Sequence, residues 1–256
     1  MNGTFDLDGD NMLEFIALEL NPSESVFPDK VRYYEIDSDG YQNLIWEFKP
    51  PVELEGDFVD AKIGDMDGDG APELVIVMNL TRFEENTTPH VFVATYSWDG
   101  SNFSEIPTAT LDVGKENRSL RCNNFQLLDQ DSDGDQEIVL ALGSPFRGFA
   151  IVNSSASGGL SLTKKIRPDQ LLVGSGLLYV GVVDYDGDGY DDVLALSPDG
   201  NTIKAQPFYN IGGVFDSGHL VRKKIEGLNG ILPHSIELTD WDSDGFLDVL
   251  VSFNSG

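Results

Sequence analysis

Short apolar runs punctuate the chain: FIALEL (15–20), LVIVMN (74–79), IVLAL (138–142), VLAL (193–196) and VLVSF (249–253). All are rich in β-branched residues or leucine and bounded by turn-forming residues, a pattern that predicts buried β-strands. Elsewhere the runs come in pairs. VFVATYSWDGSNFSEI (91–106) places two strand-like segments around an Asp-Gly turn, which predicts a hairpin. SASGGL (155–160) carries the same turn chemistry, as does EIDSDGYQN (35–43) between VRYY and LIWEF. The uncharged stretch LLVGSGLLYVGVV (171–183) predicts a buried strand, with LLYVGVV (177–183) as the part that follows a loop and runs into the next motif. No segment reads as a helix.

The elements repeat. A buried strand, a variable loop such as NLTRFEENTTPH (79–90), two strands joined by a tight turn, a second loop and a further strand form one unit. The unit is about 60 residues long, and such a period is the signature of a repeat architecture. Four-stranded units repeated radially are propeller blades, each burying its faces against its neighbours. The prediction is an all-β propeller forming a single domain over residues 1–256, with four complete repeats and an incomplete one. Almost no strand precedes Asp6, and the last repeat stops after its second strand near Phe253. We therefore expect part of a larger ring, for example a seven-bladed one, with a short self-closed ring as the alternative.

Each apolar run listed above follows an acidic nonapeptide. The five copies span residues 6–14, 65–73, 129–137, 184–192 and 240–248 and fit D-x-D-x-D-G-x-x-(D/E), with Asn11 in place of one glycine. Twenty of the forty-four Asp and Glu residues sit at positions one, three, five and nine of these copies. Such crowding is self-repelling unless a cation lies within it, and hard divalent cations take six to eight oxygen ligands. Positions one, three and five are Asp6, Asp8 and Asp10; Asp65, Asp67 and Asp69; Asp129, Asp131 and Asp133; Asp184, Asp186 and Asp188; and Asp240, Asp242 and Asp244. Position nine closes the cage with Glu14, Glu73, Glu137, Asp192 or Asp248. Position seven is chemically varied (Met12, Ala71, Asp135, Tyr190, Phe246), as expected where the ligand is a backbone carbonyl. The glycine at position six permits positive φ, which Asn11 also tolerates. An EF-hand loop begins the same way but needs a glutamate at position twelve, where this chain has Ala17, Ile76, Leu140, Ala195 or Val251. Up to five calcium ions are therefore predicted.

Composition narrows the function. Sixteen Lys and Arg against forty-four acids give a formal charge of −28 over 256 residues, which disfavours nucleic acid and anionic lipid as partners. The single cysteine, Cys122, cannot form an intrachain disulfide and is expected to be a plain buried thiol. No apolar run approaches the roughly 18 residues that span a bilayer. The N-terminus has no signal-peptide core, as in a mature or truncated product or a cytoplasmic protein. Six N-x-(S/T) sequons, at Asn2, Asn79, Asn86, Asn102, Asn117 and Asn153, lean towards a secreted or cell-surface glycoprotein with these asparagines on surface loops. The three histidines, His90, His219 and His234, fall in no catalytic frame, and no nucleophile elbow or phosphate-binding loop occurs. No enzyme is expected.

The loops and the strands behind them resemble the FG-GAP repeats, or VCBS-type repeats, of integrin α-subunit propellers. DQDSDGDQEIVLALGSP (129–145) and DYDGDGYDDVLALSP (184–198) carry the resemblance most closely. It implies that each metal loop joins the first two strands of a blade and is structural, and that ligands bind the opposite face. That face would include KPPVEL (49–54), TRFEEN (81–86) and SPFRGF (144–149), with Arg82, Phe83, Phe146 and Arg147 as contacts. An adhesion or protein-recognition module is the first expectation. A carbohydrate-binding lectin and an accessory propeller of a secreted hydrolase, lyase or phospholipase are the alternatives.

Overall fold

The computed structural model describes residues 5–19, 30–48, 56–80, 90–114, 120–155, 159–169, 171–172, 176–199, 202–224, 233–239, 241–242 and 248–253. Within these it is all β, as predicted, and built of antiparallel sheets that each follow chain order. The chain divides into two compact units, residues 1–121 with 154–161, and residues 122–153 with 162–256.

The first unit contains a three-stranded sheet, β1 (Leu13–Glu19), β2 (Lys30–Ile36) and β3 (Gln42–Phe48). Its four-stranded sheet runs β4 (Gly56–Gly64), β5 (Glu73–Leu80), β6 (His90–Ser97) and β7 (Ala109–Val113). Phe5 makes an isolated bridge to Glu14, so among the described residues the three-stranded sheet has no counterpart of β4. One core joins the two sheets: Ile16, Val31 and Tyr33 pack with Leu74, Ile76, Met78, Ala94 and Tyr96.

The second unit has a sheet of β8 (Cys122–Leu128), β9 (Glu137–Leu142), β10 (Gly148–Ser154) and β11 (Leu160–Ile166). A second sheet runs β12 (Tyr179–Val183), β13 (Asp192–Asp199) and β14 (Thr202–Asn210). Its fourth strand is split into β15 (Phe215–Ser217) and β16 (Val221–Lys224), both paired to β14. The pair β17 (Pro233–Thr239) and β18 (Asp248–Phe253) follows. Phe149 and Phe208 meet edge to face in the core between the two larger sheets. Asn124, in the bulge of β8, stands in for a ladder residue: its amide donates to the Val180 carbonyl at 2.8 Å and accepts from the Val180 N–H at 2.9 Å.

The burial pattern follows the hydropathy. Every side chain of β5 and β9 is buried, as continuous apolar runs predict, whereas β11 alternates and β16 is fully exposed. The expected hairpins form at 37–41, 98–103 and 155–159, where Asp37 and Asp99 accept hydrogen bonds from backbone amides of their own turns. LLVGSGLLYVGVV differs from expectation. Leu171 and Leu172 lie in a turn closed by the Leu172 amide on the Asp169 carbonyl, Gly176 adopts φ +81°, and the strand begins only at Tyr179. Apolar content alone does not separate a turn, in which Leu171 is exposed and Leu172 buried, from a buried strand.

Candidate metal centre

Each nonapeptide joins the first strand of a sheet, or for the first copy the Phe5 bridge, to the strand that carries its apolar run. The loop is wound by its own carboxylates. The first aspartate accepts two backbone amides, three and five residues on: Gly9 and Asn11 to Asp6, Gly68 and Gly70 to Asp65, Gly187 and Gly189 to Asp184. Asp129 accepts the second of these from Gly134 at 3.2 Å. The ninth residue reaches back to the second amide: Leu7 to Glu14 at 2.8 Å, Met66 to Glu73 at 2.9 Å, Gln130 to Glu137 at 2.7 Å, Tyr185 to Asp192 at 2.9 Å. The fifth loop keeps this clip, with Trp241 donating to Asp248 at 3.0 Å.

Two left-handed residues per loop make the winding feasible. Position six has positive φ at Asn11, Gly70, Gly134 and Gly189, as predicted. Position four has it too, at Gly9, Gly68, Ser132 and Gly187. The second site was legible, since glycine occupies position four in three of the five copies.

The result is four clusters in which carboxylate oxygens lie within 4.8 Å of one another: Asp6, Asp8, Asp10 and Glu14; Asp65, Asp67 and Glu73; Asp129, Asp131 and Glu137; Asp184, Asp186 and Asp192. Position five joins only the first. Asp69, Asp133 and Asp188 instead accept the amides of Ala71, Asp135 and Tyr190 at position seven, as Asp10 does from Met12. In the last loop Asp242 is exposed, and Asp240, Asp244 and Phe246 lie outside the described residues.

The clusters fit a hard cation. Their donors are all oxygens, and Glu14 Oε1, Asp67 Oδ1 and Asp129 Oδ1 are buried with no hydrogen-bond donor. A buried anionic oxygen without a partner is costly, and a divalent ion at the centre of the cluster would satisfy it. The electrostatics agree. Burial, reinforced by the neighbouring aspartates against one backbone amide, pushes the carboxyls of Glu73 and Glu137 up to about 7. Burial likewise raises Glu14 and Asp192 above the usual carboxylate range.

The remaining candidates are scattered. Phe146 and Arg147 sit in the β9–β10 turn, at the end of β9 remote from the metal loop. Arg147 is exposed, with φ +55°, while the half-buried Phe146 ring lies 5.0 Å from the Arg167 guanidinium and 5.9 Å from Lys165 Nζ. Arg82 and Phe83, with sequon residues Asn2, Asn86 and Asn117, lie outside the described residues. Asn102 is exposed in its hairpin turn, but Asn79 and Asn153 depart from the surface-loop expectation. Asn79 is buried within β5, and Asn153, in β10, donates to Glu137 Oε1 at 3.2 Å. Both sequons fall on strands, where Asn79 is buried and Asn153 half-buried. Cys122 is a buried thiol, donating to the Asn124 carbonyl at 3.0 Å. Among the described residues no helix is long and apolar enough to cross a membrane.

Comparison with known proteins agrees with the fold. Residues 184–251 match the model of the FG-GAP-like repeat. Among solved structures, rhamnogalacturonan lyase YesW is similar at 16% identity and a TM-score of 0.53, over 91% of this chain and 50% of that one. An exo-β-1,3-galactanase from Phanerochaete chrysosporium is similar at 12% identity and a TM-score of 0.52, over 87% of this chain and 49% of its own. A protein from Lactobacillus plantarum is similar at 14% identity and a TM-score of 0.53, covering 89% and 56%. The chain thus spans about half the length of the solved structures it matches. No curated protein sequence matches it. With its recurring four-stranded sheets, one loop of the same design per sheet, and an FG-GAP-like repeat over residues 184–251, the chain is a repeat protein of the β-propeller type.

Proposed function

We propose that the chain is an extracellular, calcium-stabilised recognition module of the adhesion type, in which the ions are structural. A protein or glycan ligand meets the strand ends remote from the metal loops. The observation that carries the metal reading is the convergence of four carboxylate clusters, three of which hold a buried oxygen that has no hydrogen-bond donor. Calorimetric titration of the chelator-treated protein tests it. At least four calcium ions per chain are expected, and no uptake at millimolar calcium contradicts the reading.

Charge points to the ligand-binding end. The chain has only sixteen cationic residues, yet Lys165 and Arg167 lie against the Phe146 ring, and the exposed Arg147 follows it in the same turn, at the far end of β9 to β11. In a chain of formal charge −28 such a patch selects acidic groups on a partner. Reversing Arg147 and Arg167 to glutamate should abolish capture on an array of acidic glycans and matrix proteins. The melting shift produced by calcium should stay unchanged, because neither residue lies near a metal loop. Retained capture would move the ligand site elsewhere.

One feature favours the carbohydrate reading. In the first unit a cleft of about 1030 Å³ is lined by Trp46, Phe48 and Phe103 with Asp99, Asn102 and Glu105 at its polar edge. Aromatic walls with a few amide and carboxylate groups suit a neutral sugar. If glycans bind there, Asn102→Ala and Glu105→Gln should remove the glycan-array signal without altering the melting temperature. Of the three described sequons only that of Asn102 is exposed, and a glycan found on it by peptide mapping after expression through a secretory pathway would close the cleft and contradict the carbohydrate reading.

A further inference from the structure

Two of the metal loops share a buried polar hub that neither needs for its own winding. Asn210, at the end of β14, is 1% exposed. Its backbone amide donates to Asp192 Oδ1 of the fourth loop at 2.7 Å. Its side-chain amide donates to the carbonyls of Gln130, in the third loop, at 2.7 Å and of Asp191 at 3.2 Å. Its side-chain oxygen accepts the Gly213 N–H at 2.9 Å. Gln130 in turn donates its backbone amide to Glu137 Oε2 and its side-chain amide to the Gly213 carbonyl. A second bridge runs in parallel, because the Asp191 carboxylate accepts the backbone amide of Asp129. Glu137, Gln130, Asn210 and Asp192 therefore form one hydrogen-bonded chain from a carboxylate of one cluster to a carboxylate of the next, across 80 residues of sequence.

We propose that Asn210 is a positioning residue that couples the third and fourth loops, so that an ion in either raises the affinity of the other. The inference rests on the calcium reading above. An ion bound by Asp129, Asp131 and Glu137 holds Glu137 and with it the Gln130 amide. Gln130 then fixes the Asn210 side chain, and the Asn210 backbone already carries Asp192 in place for the second ion. The second ion has less left to order, which is positive cooperativity without a change of shape. The linkage is reciprocal. No equivalent hub links the first two loops among the described residues, and each of those clusters is wound by its own hydrogen bonds.

Terbium luminescence offers a reporter for the fourth loop. Tyr185 and Tyr190 lie in it, Trp241 of the fifth can be replaced by phenylalanine, and the part of the signal that Tyr185→Phe with Tyr190→Phe removes separates this loop from the first, beside which Tyr33 lies. In the full chain carrying Trp241→Phe, Asp131→Asn, an exposed change in the third loop, should weaken tyrosine-sensitised terbium binding by about 5-fold or more. In the same chain carrying Asn210→Ala, Asp131→Asn should change it less than about 2-fold. An unchanged affinity after Asp131→Asn with Asn210 present overturns the coupling, and needs no Asn210 variant to fold. A loss of equal size in the Asn210→Ala chain overturns the role of Asn210. Absence of any sensitised signal and of any calcium heat overturns the metal reading and the coupling together.

Discussion

In excess EGTA the protein should melt about 20 °C or more below its temperature in millimolar calcium, and added calcium should restore it. At an affinity of about 10 μM and about 1 mM ion, linkage contributes about 2.7 kcal/mol per site. Four sites then contribute about 11 kcal/mol. The whole stability of a typical domain is only about 5 to 15 kcal/mol. For chains of this size each kcal/mol moves the midpoint by about 2 to 4 °C. Without ions the four clusters keep their mutual repulsion, and three of them a buried, donor-less oxygen, while the entropy of ordering each loop is still lost. A melt unchanged by EGTA means that the winding hydrogen bonds alone hold the loops.

The pH dependence of stability should reverse sign between the metal-free and calcium-loaded protein. In the metal-free fold Glu73 and Glu137 have carboxyls pushed up to about 7, against 4.5 for the free side chain. A raised folded-state value means that protonation favours the fold: the contribution is complete below the unfolded value and is lost as pH rises through about 7. Lowering pH from 8 to 6 in EGTA should therefore raise the melting temperature. In subsaturating calcium the same change should lower it, because protons then compete with the ion for the same oxygens. The double variant Glu73→Gln and Glu137→Gln separates the two regimes. In EGTA at pH 8 it should melt higher than the parent and show a flatter pH profile, since two buried anions have gone. In calcium it should lose about half of the calcium-induced shift, since two of the four described clusters lack their closing carboxylate. Parallel pH slopes with and without calcium would place these glutamates outside the metal sites.

Much of this was legible in the sequence because the repeat supplies several readings of one design. The runs at 74–79 and 138–142 predict fully buried second strands and are found as such in β5 and β9. The Asp-Gly and Gly-Gly turns form hairpins where expected. Position six was readable from its glycine, and position four equally so, although only the first figured in the expectation. What escaped was set by tertiary packing. In LLVGSGLLYVGVV the Gly-Ser-Gly at 174–176 is a turn signal, but the apolar run on either side of it reads as strand, whereas Leu171 lies in a turn and is 58% exposed. Asp69, Asp133 and Asp188 look identical to Asp10 in the motif, yet only Asp10 joins its cluster. The hub at Asn210 was invisible because its partners lie 18 and 80 residues away and belong to no motif.

The Asn79 sequon shows the converse hazard. N-L-T is correct chemistry for glycosylation, yet the asparagine belongs to β5, where Asn79 pairs with Asp57 and Val91 and is 8% exposed. A short motif reports what a residue could do, and burial decides whether it can be reached.

Diffraction from crystals grown in calcium, with anomalous differences used to locate the ions, tests the central claim most directly. Strong peaks are expected between Asp6 and Glu14, Asp65 and Glu73, Asp129 and Glu137, and Asp184 and Asp192, the first three touching the buried oxygens of Glu14, Asp67 and Asp129 that lack a donor. Water alone at those four centres, in calcium well above millimolar, would contradict the account.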